Sequence, residues 1–320
     1  MSRIITLEEI HRVLPRIDSV RLMEEGFVMY SRGRVVVPPV GELLFDDPPG
    51  DVHIKYGYIE GDDHYVIKIA AGFYDNPSIG LPSSQGLMLV FSSRTGMLEA
   101  VLLDNGHLTN IRTAAAGAVA AKHLAPREIR GIGVLGAGIQ AELQLRYVQQ
   151  VSPCSRALFW TPRSSEVEPF LERFAGSDLS IEAAADPGEL AARCNLIITA
   201  TPSTKPLLWA DDIVPGTHIT ALGSDTAEKI ELDPAILGAA DLVVVDSLEQ
   251  SASRGEVFRA VSAGAITHER VLELGSLIGR NTGVRSNDSQ ISVCDLTGVA
   301  VQDIQIAKAV VHEISSEGLR

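Results

Sequence analysis

In the middle of this chain the apolar residues come in short runs, each closed by small or polar residues. Ile132–Leu135, 157–160, Leu196–Thr199, 219–222 and Leu242–Val245 all have this form. Parallel strands buried on both faces require such runs. Helical stretches separate them, 140–150 being the clearest. The alternation predicts a doubly wound parallel sheet. Ahead of Gly131 the pattern is different. Residues 6–30 predict helices, with Thr6 and Glu9 spaced as a capping box. Residues 34–103 predict strands and turns, with strands at 35–37, 65–69 and 87–91 and a Thr95-Gly96 hairpin turn before Leu98–Leu103. Thr109 is placed to cap an alanine-rich helix that ends near Ala125-Pro126. Within 295–320, Val301, Ile304, Ile306, Ala307, Val310, Val311 and Ile314 mark an amphipathic helix expected to pack back on the first domain. The expected fold class is α/β. A Rossmann-type doubly wound parallel sheet spans 114–295, and a smaller α+β domain is built from 1–113 with 296–320.

The first apolar run of the parallel region leads into Gly136-Ala137-Gly138-Ile139-Gln140-Ala141. A dinucleotide pyrophosphate needs this order of strand, glycine turn and helix. Gly136 allows the tight turn. Gly138 removes a side chain where backbone and phosphate approach, Ala141 keeps the helix close to the sheet, and the helix N-terminus offers free N–H groups. The same spacing also occurs in ordinary strand-to-helix turns, so it carries weight only through its context.

Charge and composition narrow the partners. The 320 residues carry 27 basic and 41 acidic side chains, a net charge of −14, which argues against nucleic acid or an anionic membrane as partner. A cluster of cations in a pocket would therefore stand out. Three widely spaced cysteines and no apolar leader after Met1 fit a cytoplasmic protein. The apolar run 113–121 is too short to span a bilayer. His53, His64, His107 and His123 have no metal-ligand spacing, so no metal is expected. No motif supports a covalent nucleophile.

The residues after the second Rossmann strand bear on the choice of carrier. NAD sites tend to place an acid there for the ribose 2′-hydroxyl. Here the sequence is Thr161-Pro162-Arg163-Ser164-Ser165, with no acid before Glu166. Arg163 and Thr161 suit a 2′-phosphate. The expectation is NADP(H), with NAD(H) as the other candidate.

Three stretches together carry a resemblance. They are Lys68-Ile-Ala-Ala-Gly-Phe-Tyr-Asp-Asn-Pro, then Gly80-Leu-Pro-Ser-Ser, then Leu108-Thr-Asn-Ile-Arg-Thr-Ala-Ala-Ala116, with Gly136-Ala-Gly-Ile-Gln140 and Gly223-Ser-Asp225 downstream. The chain resembles the ornithine cyclodeaminase/μ-crystallin family over nearly its whole length. The resemblance implies a two-domain subunit, a homodimer built through the first domain, a nicotinamide cofactor and chemistry at the α-carbon of an amino or imino acid.

The resemblance also assigns residues. Lys68 and Arg112 would hold the substrate α-carboxylate, although Lys68 read alone is an edge-strand lysine with a solvated head. Arg112, read as lying in the first turn of its helix, is there mildly disfavoured by the dipole, which an anion partner would explain. Arg34 is a third carboxylate candidate, in a region where many members carry an arginine and this chain has Pro38-Pro39-Val40-Gly41-Glu42. Ser83 falls near the substrate. Asp225 would be the acid/base at the substrate amine; read alone it is a turn aspartate. Thr201 and Pro202 match a Thr-x-Thr-Pro loop flanking the nicotinamide, and Thr297 with Gly298 matches a segment that returns to the active site. Three functions follow. The first is an NAD(P)-dependent imino-acid (ketimine) reductase or amino-acid dehydrogenase. The second is an ornithine cyclodeaminase with retained NAD, which needs an acid for the distal amine; Glu42 is nearby, and the sequence assigns it no role. The third is a non-catalytic NADP-binding protein of the crystallin type.

Overall fold

The structure is a computed structural model that describes residues 2–73, 75–280 and 284–317. These fall into two compact units, one up to Arg112 together with the residues from Val299 onward, the other Thr113–Gly298.

The first unit opens with the capping box. Thr6 N–H donates to Glu9 Oε2 at 2.9 Å, and Glu9 N–H donates back to Thr6 Oγ1 at 3.4 Å, starting the helix Leu7–Val13. Its sheet runs in the order Arg3–Thr6, Leu98–Leu103, Ser84–Ser92, His64–Phe73, Pro49–Ile59, Val35–Val36, with Gly41–Asp46 also paired to Pro49–Ile59. The Arg3–Thr6 pairing is parallel and the others antiparallel. The hairpin Gly41–Asp46/Pro49–Ile59 was not foreseen. Asp51-Val52-His53-Ile54-Lys55-Tyr56 alternates polar and apolar residues as a strand does, but its partner, with Leu43-Leu44-Phe45 in succession, does not. The helix Ala300–Glu317 packs on the helix Ser19–Ser31 and on the strands Pro49–Ile59 and His64–Phe73.

The alanine-rich helix runs His107–Leu124 and begins earlier than expected. Asp104, not Thr109, caps it, its Oδ2 accepting the Leu108 N–H at 2.8 Å. Arg112 therefore lies in the second turn, not the first. The small residues of this helix have a packing reason. A Cβ on Gly117 would lie 1.9 Å from Gln144 Oε1, so the glycine leaves room for the Gln144 amide, whose Nε2 donates to the Thr113 carbonyl at 3.0 Å.

The second unit has an eight-stranded sheet, parallel throughout. Its order is Ser180–Ala183, Arg156–Trp160, Ile132–Leu135, Leu196–Thr199, His218–Ala221, Ser292–Asp295, Leu242–Val245, Val271–Glu273. The chain enters at Ile132–Leu135, goes to one side and returns to the other. The strand order thus reverses between Ile132–Leu135 and Leu196–Thr199, and ligands of such sheets bind outside the strand carboxyl ends at that reversal. Ser292–Asp295 was missed because both its ends are polar, though all four residues are buried.

Candidate active site

In the first unit Lys68 sits on an interior strand, paired on one side to Lys55 and on the other to Met88. The edge-strand reading of Lys68 is therefore wrong, and only 3% of the residue is exposed. Lys55, directly opposite, is also buried. Like charges facing each other across a sheet repel. Arg112 is buried as well, and both cations turn to Asp303 of the helix Ala300–Glu317. Lys68 Nζ stands 3.7 Å from Asp303 Oδ2, and Arg112 Nε stands 3.0 Å from Asp303 Oδ1. The Arg112–Asp303 contact is electrostatic, because Nε and both carboxylate oxygens lack hydrogen-bond alignment. Arg112 Nη1 donates to Gln302 Oε1 at 2.5 Å. Burial raises the Asp104 carboxyl pKa, opposed by the backbone N–H groups it accepts. Two buried cations thus share the Asp303 carboxylate.

Two expected members are not brought to this cluster. Arg34 is exposed, and its Nη2 donates to the Glu60 carbonyl at 3.0 Å. Glu60 lies five residues along the chain from Lys55, which is ~16 Å in extended backbone. Ser83 is exposed, its carbonyl accepting the Phe73 N–H at 2.8 Å. Phe73 lies five residues from Lys68, again ~16 Å away. Glu42 faces His53, with Oε1 3.3 Å from Nδ1, and His53 Nε2 is 3.5 Å from Asp51 Oδ1.

In the second unit the glycine turn sits at the strand-order reversal. Gly136 has φ +122°, and a Cβ there would lie 2.9 Å from the Ala200 carbonyl oxygen. Its N–H donates to the Trp160 carbonyl at 2.8 Å, tying the turn to the second strand. Ala137 is buried, and Gly138 and Ile139 are exposed. Gly138 is the N-cap of the helix Ile139–Val148, with no side-chain cap, and a Cβ on it would meet no atom within 4 Å. Gln140 is half-buried in the first turn. An uncapped helix N-terminus facing open space over a glycine is a fit for a dinucleotide pyrophosphate.

The loop after Arg156–Trp160 contains an acid that its sequence order concealed. Thr161 Oγ1 donates to Glu166 Oε2 at 2.6 Å, and Arg163 Nη2 stands 2.6 Å from Glu166 Oε1. The Arg163 side chain is 73% exposed. Beyond the neighbouring strands, Thr201 is half-buried and Pro202 exposed. Asp225 is partly exposed and pairs with Lys229 at 2.7 Å. Thr297 is buried, donating from Oγ1 to Asp246 Oδ1 at 3.1 Å and accepting from Gln250 Nε2 at 2.8 Å. Its strand neighbour Ser292–Asp295 is the third from Ile132–Leu135, ~14 Å across the sheet. Thr297 thus holds its own loop together, and the structure does not bring it to the glycine turn.

Sequence reasoning missed Asp303, Lys55, Lys229 and Glu231. Asp303 and Glu231 each left a trace, a carboxylate set in an apolar run: Val301-Gln302-Asp303-Ile304 and Ile230-Glu231-Leu232. Among the described residues no group of three or more His, Cys, Asp or Glu side chains is arranged to hold a metal, and no helix is long and apolar enough to cross a membrane.

A doubly wound parallel sheet with a glycine turn at its reversal point defines a dinucleotide-binding fold. A profile of the ornithine cyclodeaminase/mu-crystallin family matches residues 2–318, and the chain belongs to that family. It is 42% identical over 310 residues to a protein of Sinorhizobium fredii named as an uncharacterized cyclodeaminase, covering 95% of this chain and 93% of that one. An archaeal alanine dehydrogenase dimer with bound NAD superposes with a TM-score of 0.91 at 33% identity, covering 99% and 97%. The iminosuccinate reductase of Paracoccus denitrificans in complex with NAD+ superposes with a TM-score of 0.90 at 30% identity, also covering 99% and 97%.

Proposed function

We propose that this chain is an NAD(P)-dependent oxidoreductase acting at the α-carbon of an amino or imino acid, as an imino-acid (ketimine) reductase or an amino-acid dehydrogenase. One observation carries the substrate side: Lys68 and Arg112 are buried and share the Asp303 carboxylate. The substrate carboxylate is held by the Arg112 fork and the Lys68 ammonium. Asp225, paired with Lys229, exchanges the proton at the substrate nitrogen. The turn Gly136–Gln140 and the loops of Thr161 and Thr201 hold the dinucleotide, which when bound supplies or accepts a hydride. The names of the alanine dehydrogenase and iminosuccinate reductase relatives support this chemistry.

The cyclodeaminase alternative needs a carboxylate for a distal amine. Glu42 already faces His53, so such an amine would compete with the imidazole. A direct assay separates the readings. Incubation with NADPH or NADH and cyclic imino acids, or with 2-oxo acids plus an amine, should oxidise the nucleotide. Ammonia release from ornithine with tightly held NAD would overturn the reductase reading.

For the carrier, the proposal is a preference for NADP(H) with NAD(H) accepted, set by Arg163 against Glu166. Freed from Glu166, Arg163 pairs with a 2′-phosphate, whereas Glu166 suits a 2′-hydroxyl. Arg163→Ala should weaken NADPH use by about tenfold and leave NADH use unchanged, since one charge-assisted contact contributes ~1.5 kcal/mol. Glu166→Gln should shift the preference further toward NADPH. Equal effects of Arg163→Ala on both carriers would remove it from the 2′-phosphate site.

The chain is proposed to act as a cytoplasmic homodimer. Val36, Leu43, Leu44, Phe45, Tyr56 and Tyr58 expose apolar surface on the first unit, and the archaeal alanine dehydrogenase is a dimer.

A further inference from the structure

Glu231 is fully buried in the short strand Ile230–Leu232, and its carboxylate faces four groups of Thr199, Thr201 and Gly223. Its Oε1 accepts the Thr201 N–H at 2.6 Å and the Thr201 hydroxyl at 2.7 Å. Its Oε2 accepts the Thr199 hydroxyl at 2.6 Å and the Gly223 N–H at 2.9 Å. One carboxylate therefore joins the loop after Leu196–Thr199 to the loop after His218–Ala221. The junction is tight: a Cβ on Gly223 would lie 2.2 Å from the Thr201 carbonyl and 2.6 Å from Glu231 Oε2. The first loop also touches the dinucleotide turn, because the Ala200 carbonyl is the atom that a Cβ on Gly136 would meet at 2.9 Å.

Two of these donors are backbone N–H groups, which can only donate, and two are threonine hydroxyls. Burial raises the pKa of Glu231, and its donors oppose that. The neighbouring Glu256, pushed up by burial to about 8, accepts the Glu231 and Leu232 N–H groups.

The two joined loops lie on one side of the strand-order reversal, and the 2′-site loop after Arg156–Trp160 lies on the other. In a doubly wound sheet each half takes one nucleotide of the carrier. We infer that Glu231 is a positioning residue for the nicotinamide half, setting the Thr201 and Gly223 loops without touching the carrier. This rests on the dinucleotide reading above.

Glu231→Gln tests it. Whichever oxygen the amide nitrogen replaces, one backbone N–H is left facing a donor and one threonine hydroxyl must turn to accept. Binding of NADPH and NADH to the full-length chain should weaken about tenfold, equivalent to ~1.4 kcal/mol. Binding of ADP-ribose and of its 2′-phosphate, which lack the nicotinamide, should stay within about twofold. Thr201→Val removes one donor and keeps the carboxylate, so it should show the same pattern at about threefold and serves if Glu231→Gln does not fold. Equal weakening of the dinucleotides and the truncated ligands would overturn the inference, as would no change in either. Failure of the unaltered protein to bind any of these ligands would instead overturn the dinucleotide reading.

Discussion

Arg112→Ala is expected to raise the KM for the amino or imino acid by about 100-fold or more while leaving dinucleotide affinity unchanged. Removing one partner of a buried, hydrogen-bonded charge pair costs 2–5 kcal/mol, by rough measure. A hundredfold change corresponds to ~2.7 kcal/mol, at the low end of that range. The cost falls on substrate binding because Asp303 still holds Lys68 but the guanidinium fork is gone. The protein also loses stability, since Asp303 keeps one cation where it had two and Gln302 loses its donor. Steady-state kinetics over a wide substrate range, with dinucleotide binding measured separately, checks this. Arg112→Lys isolates the fork: charge is kept, bidentate geometry is lost, and KM should rise by about tenfold. An unchanged KM in Arg112→Ala would remove Arg112 from the carboxylate site, and the shared Asp303 would then be a structural ion cluster only.

The two halves of the site were unequally legible in the sequence. The glycine turn is local: strand, turn and helix are consecutive, so their order alone locates Gly136 and Gly138. The basic cluster is not local. Lys68 read alone is a solvated lysine, because nothing in Ile67-Lys68-Ile69 says that strands flank it on both sides. Its partner Asp303 lies on a helix more than two hundred residues away in sequence. Arg112 was put in the wrong turn because Thr109 looked like a cap, while the cap is Asp104, reaching across Asn105 and Gly106, both at positive φ. The loop after the second strand misled for a related reason. Glu166 stands outside the expected position in sequence, and a turn of 3₁₀ helix at Ser164–Glu166 brings its carboxylate back onto Thr161 and Arg163. Side chains that meet only through folding leave a weak mark in sequence, and here the mark was a charge inside an apolar run.

Gly138→Val should abolish tight dinucleotide binding with little change in thermal stability. The reasoning depends on Gly138 and Gly136 differing. Gly136 has positive φ and carbonyl oxygen within reach of any Cβ, so substitution there strains the fold itself, by ~1–3 kcal/mol for the backbone alone. A loss of binding in Gly136→Ala would therefore mix unfolding with a lost site. Gly138 has φ −83°, which any residue adopts, and a Cβ there meets no protein atom within 4 Å. The space it would enter lies in front of the uncapped N–H groups of the helix Ile139–Val148, where a pyrophosphate would sit. A valine side chain fills that space and displaces the phosphate from those donors and from the positive end of the dipole. Losing two or more hydrogen bonds to a charged group at ~1.5–3 kcal/mol each gives a Kd increase of about 100-fold or greater. Titration of NADH and NADPH into the variant, with its melting temperature compared to that of the unaltered protein, checks both parts. Retained affinity in a folded Gly138→Val protein would show that the turn does not carry the pyrophosphate. Lost affinity at an unchanged melting temperature would assign the loss to the cradle and not to the fold.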